Sequence, residues 1–187
     1  MKQFLRLTAC FLSAFVLIST AANAQVSTYT FSQSAGTYTS ISGGTVLGLP
    51  TNDDNIFANN PIGFSFCYNG VQYTEFGVCA NGWIYMGNAT GFNSYTAISS
   101  GTTNNVIAAF NFDIQGEAVT GDLQFTTTGT APNRTLIVQW SNYDAWPSGT
   151  NTDNFNFQII LNENGSTVQV RYGSVVWGTG TTTSTVN

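Results

Sequence analysis

The chain has 187 residues, with four Lys or Arg, nine Asp or Glu and no His, for a formal net charge of −5. A polyanion is held through Lys and Arg that displace its counterions, so this balance excludes nucleic acid as a partner. The lack of histidine excludes Ser-His and Cys-His nucleophile pairs, His-ligated zinc and the two-His iron triad.

At the start, Lys2 and Arg6 precede an apolar run over residues 7–18 and a small-residue finish at Ala22-Asn23-Ala24. This is the three-part layout of a secretory signal peptide, residues 1–24, cut after Ala24. The apolar run is shorter than the roughly 18 to 20 residues that cross a bilayer, so no membrane insertion is expected after cleavage. Cys10 sits ahead of most of the apolar run, not behind it, and so belongs to the leader and not to a lipoprotein box. Cleavage leaves 163 residues (187 − 24), whose only cations are Arg134 and Arg171, for a net charge of −7 (2 − 9). That length suits one domain, 25–177, followed by a Gly/Thr-rich tail, 178–187, that reads as a linker or a truncated continuation. The expected location is secreted or cell surface.

No window has helical periodicity, and Gly or Asn interrupts an alternating pattern every eight to twelve residues or so, the rhythm of a β-sandwich or barrel. Strands are expected at 26–31, 38–41 and 45–47. A three-stranded meander follows over 62–86, and further strands are expected at 106–112, 123–127 and 136–140. Three Asn-Gly dipeptides predict type I′ hairpins, because both central residues of that turn need positive φ. Asn69-Gly70 pairs Tyr68 with Val71 and Phe66 with Tyr73. The same register sets Glu75 against Phe64 although the apolar phase resumes at Phe76, which predicts a bulge near Thr74-Glu75. Asn81-Gly82 pairs Val78 with Tyr85 and Ala80 with Trp83. Asn164-Gly165 pairs Leu161 with Val168, Ile159 with Val170 and Phe157 with Tyr172, all facing inward. The expected architecture is therefore all-β: two antiparallel sheets built from hairpins, with roughly ten short strands.

The order of several segments resembles the nidogen-type (NIDO-like) extracellular domain, found in animal adhesion proteins and near the N-terminus of large secreted proteins of Bacteroidota. The matching stretches are Pro61-Ile62-Gly63-Phe64-Ser65-Phe66, Gly70-Val71-Gln72-Tyr73 and Val78-Cys79-Ala80-Asn81-Gly82-Trp83-Ile84. Val106-Ile107-Ala108-Ala109-Phe110 with Asp113, Leu136-Ile137-Val138-Gln139-Trp140, and Phe157-Gln158-Ile159-Ile160-Leu161 leading to Asn164-Gly165 and Tyr172-Gly173 complete the set. The resemblance implies a β-sandwich with an adhesive or scaffolding role outside the cell and carries no catalytic residue. An extracellular protein or a glycan is then the expected partner.

Four groups of residues are candidates for chemistry. Tyr143, Asp144 and Trp146 lie in the long polar link 141–154, where an aromatic face beside a carboxylate would suit sugar stacking; the other expected long link is 87–105. Trp83, Trp140 and Trp177 lie on strand patterns and read as core. Asp53-Asp54-Asn55, and Asp113 with Glu117, offer oxygens that suit calcium, but neither fits the twelve-residue calcium loop, so they read as turns and neither metal nor cofactor is assigned. Glu75, Glu117 and Glu163 show no spacing that singles out a glycosidase pair, so a non-enzyme is expected, with a carbohydrate-binding module as the alternative and a glycoside hydrolase after it. Cys67 and Cys79, the only cysteines after the leader, are a candidate disulfide by compartment. The hairpin register instead puts Cys67 opposite Gln72 and Cys79 opposite Ile84, so a bond would need a strong bend at Thr74-Glu75.

Overall fold

The computed structural model describes residues 29–88, 105–110, 112–146 and 152–178. The expected signal peptide and most of the links 87–105 and 178–187 lie outside them. Ten strands are present among the described residues: β1 (Thr45–Val46), β2 (Ile56–Tyr68), β3 (Val71–Cys79), β4 (Trp83–Met86), β5 (Val106–Ala108), β6 (Ile114–Gly116), β7 (Asp122–Thr128), β8 (Thr135–Ala145), β9 (Asn154–Asn162) and β10 (Thr167–Val176). They form two antiparallel sheets, one in the order β1-β7-β8-β9-β10 with β6 beside the far end of β8, the other in the order β2-β3-β4-β5. The expected two-sheet architecture is what the chain adopts.

The core lies between the sheets, because each strand sends alternate side chains to one face. Phe64, Phe66, Phe76, Val78, Ile84 and Met86 come from the smaller sheet and meet Leu123, Phe125, Leu136, Val138, Trp140, Phe157, Ile159 and Leu161 from the larger. Phe76 meets Phe125 edge-on with centroids 5.4 Å apart, and the Trp140 indole N–H donates across the core to the Ala80 carbonyl at 3.0 Å. Trp83 and Tyr85 face the other way and join Cys79 in a second, smaller cluster.

The Asn69-Gly70 hairpin has the expected register, with positive φ at both residues. Asn164-Gly165 also gives the expected pairs, Leu161 with Val168, Ile159 with Val170 and Phe157 with Tyr172. Its turn differs from type I′: positive φ falls on Gly165 and Ser166, inside a single 3-10 turn over Asn164–Ser166. The bulge expected at Thr74-Glu75 is a real register shift, but the extra residues lie on β2, between Pro61 and Phe66, where Gly63 takes φ 87°. Asn81-Gly82 departs most. Val78 pairs with Ile84 and Cys79 with Trp83, one residue out of the expected step. Because a one-residue slip exchanges the two faces of a strand, Ile84 and Met86 enter the main core in place of Trp83 and Tyr85.

The segment expected as a strand over 38–41 is instead a strap laid across the outer face of the larger sheet. Gln124, Gln139 and Gln158 stand side by side on β7, β8 and β9 and are all buried. Gln158 Nε2 donates to the Thr39 carbonyl at 2.8 Å, while Gln139 Oε1 accepts the Ile41 N–H at 2.8 Å and Gln124 Oε1 the Gly44 N–H at 3.0 Å. Side-chain amides thus satisfy a backbone that no neighbouring strand pairs. Of the stretch expected as a strand over 26–31, the described residues 29–31 are irregular.

Candidate functional site

β8 runs on to Ala145, past the point where the sequence pattern ends it. A bulge at Ser141-Asn142, with Asn142 at φ 52°, shifts the pairing, after which Tyr143 faces Phe155 of β9 and β6 pairs along Tyr143, Asp144 and Ala145. Strand alternation then turns Tyr143 into the core and Asp144 to the opposite face, both buried. Burial pushes the Tyr143 hydroxyl above its ordinary range, with Asp122 and Cys79 adding to it. Only Trp146, 47 % exposed, reaches solvent, tethered by its backbone N–H to the Asp113 carbonyl at 2.9 Å. Tyr143, Asp144 and Trp146 therefore do not form one binding surface. Their strand was legible in the Tyr-Asp-Ala alternation, once the two preceding polar residues are taken as a bulge.

The two acidic turns, by contrast, come together. Asp53 and Asp54 lie just before β2, Asp113 just before β6, and one carboxylate oxygen from each lies within 4.8 Å of the others. Asn81, 1 % exposed, ties the turns to each other: its Nδ2 donates to Asp54 Oδ1 at 3.0 Å and its Oδ1 accepts the Ile114 N–H at 2.7 Å. The neighbouring Gly82 carbonyl accepts the N–H groups of Ala109 and Phe110, drawing the start of the second turn inward. Burial first, then the charges of Asp54 and Asp113, pushes Asp53 up to about 6. Asp113 is raised as well, by burial and then by Asp54. Glu117, expected beside Asp113, instead accepts the Thr120 hydroxyl at 2.6 Å within the next turn. Three hard oxygen donors of this kind are the residues here that suit a hard cation; the carboxylates alone do not name one.

The glutamates weighed as a catalytic pair stay apart. Glu75 is exposed on β3 opposite Pro61, Glu117 caps a turn, and Glu163 is bound by Arg134, whose hydrogen bond holds its carboxyl below the usual range. That direction is opposite to what a general acid needs. Cys67 and Cys79 are thiols and not bonded to each other. Cys67 pairs with Gln72, which precedes Cys79 by seven residues on β3 (79 − 72), about 23 Å of extended strand and far beyond the reach of a disulfide. Burial pushes the Cys79 thiol up to about 12.

Two of the three tryptophans expected in the core, Trp83 and Trp140, are buried. Trp177 is half-exposed, its ring packed on Phe155 at 4.8 Å and Phe112 at 5.6 Å. It ends a row along β10 in which Val170, Tyr172, Val175 and Val176 are also exposed. Sequence pattern reads Val170 and Tyr172 as inward-facing and Trp177 as core. Their exposure follows from β10 lying, among the described residues, at the edge of its sheet.

A family model described as NIDO related matches residues 28–187, which is 160 of the 187 positions (187 − 28 + 1). The chain belongs to the NIDO-related family. Neither the curated proteins nor the solved structures compared with it contain a match. The segments that carry the nidogen-type likeness in this NIDO-related chain map mainly onto β2, β3, β4, β5, β8, β9 and β10, strands of both sheets. The likeness therefore speaks to the sandwich, and the surface features have to be argued from their own geometry. Among the described residues no helix is long and apolar enough to cross a membrane.

Proposed function

We propose that this chain is a non-catalytic adhesion or scaffolding module of a larger exported protein, secreted or held at the cell surface and meeting an extracellular protein or glycan. The observation that carries this reading is where the apolar surface lies. Val170, Tyr172, Val176 and Trp177 remain exposed along and just past β10, at the edge of the larger sheet, the kind of aromatic and aliphatic surface that protein contacts bury. Charged side chains give little to set against it, since Glu163 and Arg134 neutralise each other and the raised aspartates form a closed group around Asn81. Export rests on the leader at residues 1–24.

A second reading, a carbohydrate-binding module, is favoured by Trp146 alone. Its ring is half-exposed and its backbone is anchored to Asp113, which suits stacking on a sugar.

One experiment separates the readings: the purified protein is applied in parallel to immobilised extracellular proteins and to a glycan array, with Tyr172→Lys and Trp146→Ala beside it. Adhesion through β10 predicts protein binding that Tyr172→Lys abolishes and Trp146→Ala leaves intact. Glycan binding lost in Trp146→Ala would replace the first reading by the second. Release of reducing sugar from a polysaccharide would overturn both.

A further inference from the structure

Among the described residues the two sheets end in five edge strands, and four of them are blunted. β1 has two residues and β5 and β6 three each, too short to template another chain. β2 is long, but Asn59 and Gly63 break it with positive φ and Pro61 removes a donor. β10 has ten residues, no proline and one charge, Arg171; among the described residues it pairs only with β9. Its pairing with β9 is even over 167–172 and shifts between Tyr172 and Val175. Folded proteins rarely leave such an edge open, because its free N–H and C=O groups invite another strand.

We propose that the occupant of this edge is β10 of a second copy, paired antiparallel about a twofold axis at Val170. In that register Val170 faces the partner's Val170, Val168 faces the partner's Tyr172, Gln169 faces the partner's Arg171 and Thr167 faces the partner's Gly173. Of the positions this register pairs, all but Gly173 lie in the even run 167–172. Val168, Val170 and Tyr172 share the core-side face, the last two 38 % and 52 % exposed, and this register sets every one of them against an apolar partner.

Other registers do worse. Moving two residues one way sets Arg171 against the partner's Arg171, a like-charge pair. Moving two the other way sets Tyr172 against the partner's Ser166, in the turn. A shift of one puts the two cores on opposite faces of the joined sheet. In the centred register the guanidinium meets a glutamine amide, the group it already contacts within its own strand at 3.4 Å. β10 carries no carboxylate, so the negative charge of the chain is not concentrated at the contact.

The pairing would cover part of the β10 surface on which the adhesion reading rests, so the two compete for Val170 and Tyr172 and have to be tested apart. Sedimentation equilibrium of the leader-free protein tests it, together with cysteine crosslinking in a Cys67→Ser background where the buried Cys79 is the only other thiol. The expected mass is twice the monomer's at about 100 µM, above the micromolar Kd that a small interface supports. Val170→Lys should return it to the monomer's mass with an unchanged melting temperature. Val170→Cys should oxidise to a disulfide dimer, and Gln169→Cys, which faces the partner's Arg171, should do so at least tenfold more slowly. A monomer at that concentration, or equal crosslinking at 169 and 170, overturns the proposal; a monomer that binds other proteins through Tyr172 would overturn it and leave adhesion standing.

Discussion

Two Asn-Gly dipeptides of identical sequence behave differently in this fold. At Asn164 the side chain is exposed, donating only to the equally exposed Asn133 at 3.2 Å, and the strands keep the register the dipeptide predicts, although the positive φ values move one residue along. A four-residue loop and a two-residue turn have the same parity, so the faces of β9 and β10 are unchanged. At Asn81 the side chain is buried between two acidic turns, and the register slips by one. A turn dipeptide thus sets register only while its side chain stays at the surface. Once the amide is recruited into the interior by distant groups, here Asp54 and the Ile114 N–H, those bonds decide.

The contrast is sharpest in stability. Asn81→Ala leaves the Ile114 N–H buried without its acceptor and removes the donor to Asp54. At roughly 1–3 kcal/mol for a buried group left unsatisfied, it should destabilise the fold by about 3 kcal/mol, while Asn164→Ala should stay within about 0.5 kcal/mol. Urea denaturation at constant m measures both. Equal small losses would mean that the turn itself, and not its tertiary bonds, holds the slipped register.

The adjoining glycines give a smaller difference of the same kind. Gly82 and Gly165 both have positive φ, 90° and 78°, so any side chain is strained at either. A Cβ at Gly82 would also run into Phe110, whereas at Gly165 the nearest atom is Thr167 Cγ2 at 3.7 Å. Gly165→Ala should destabilise by about 1 kcal/mol from the backbone alone, and Gly82→Ala by about 2 kcal/mol or slightly more. Thermal melts of the pair resolve this, and matching losses would show that Phe110 gives way freely.

The same division governs what was legible in the sequence. Alternation and turn residues reveal the two sheets and most of the inner faces, because those depend on local pattern. Edge position is not local: Val170 and Tyr172 have the pattern of buried residues and are exposed because, among the described residues, β10 pairs only with β9. The strap segment 38–41 reads as a strand, yet its cue was present in Leu-Gln-Phe, Val-Gln-Trp and Phe-Gln-Ile. A glutamine between apolar residues on three strands needs a buried partner, and the strap's backbone supplies it. At the candidate site, the acidic turns were visible one by one, but not their meeting, which depends on Asn81. The proposed sugar trio failed because Ser141-Asn142 is a bulge within a strand and not the start of a loop.

The smallest expected effect lies beside the Asn164 turn and tests whether that hairpin is held by its own chemistry or by its neighbours. Glu163 accepts from the Arg134 guanidinium and, at 3.0 Å, from the Arg134 backbone N–H, which together hold its carboxyl below the ordinary 4.5. A carboxylate whose folded value is depressed stabilises the fold above its unfolded value and loses that contribution as pH falls through the folded one. Arg134 stays charged throughout, so the change belongs to Glu163. The wild-type protein should therefore melt slightly above Glu163→Gln at neutral pH, and the gap should close on acidification to about pH 3. The pair lies at the surface, so raising the salt concentration should shrink the gap as well. A gap that persists in acid would show that the substitution removes packing or backbone contacts and not charge, and the Asn164 hairpin would then depend on its neighbours in the same way as the one at Asn81.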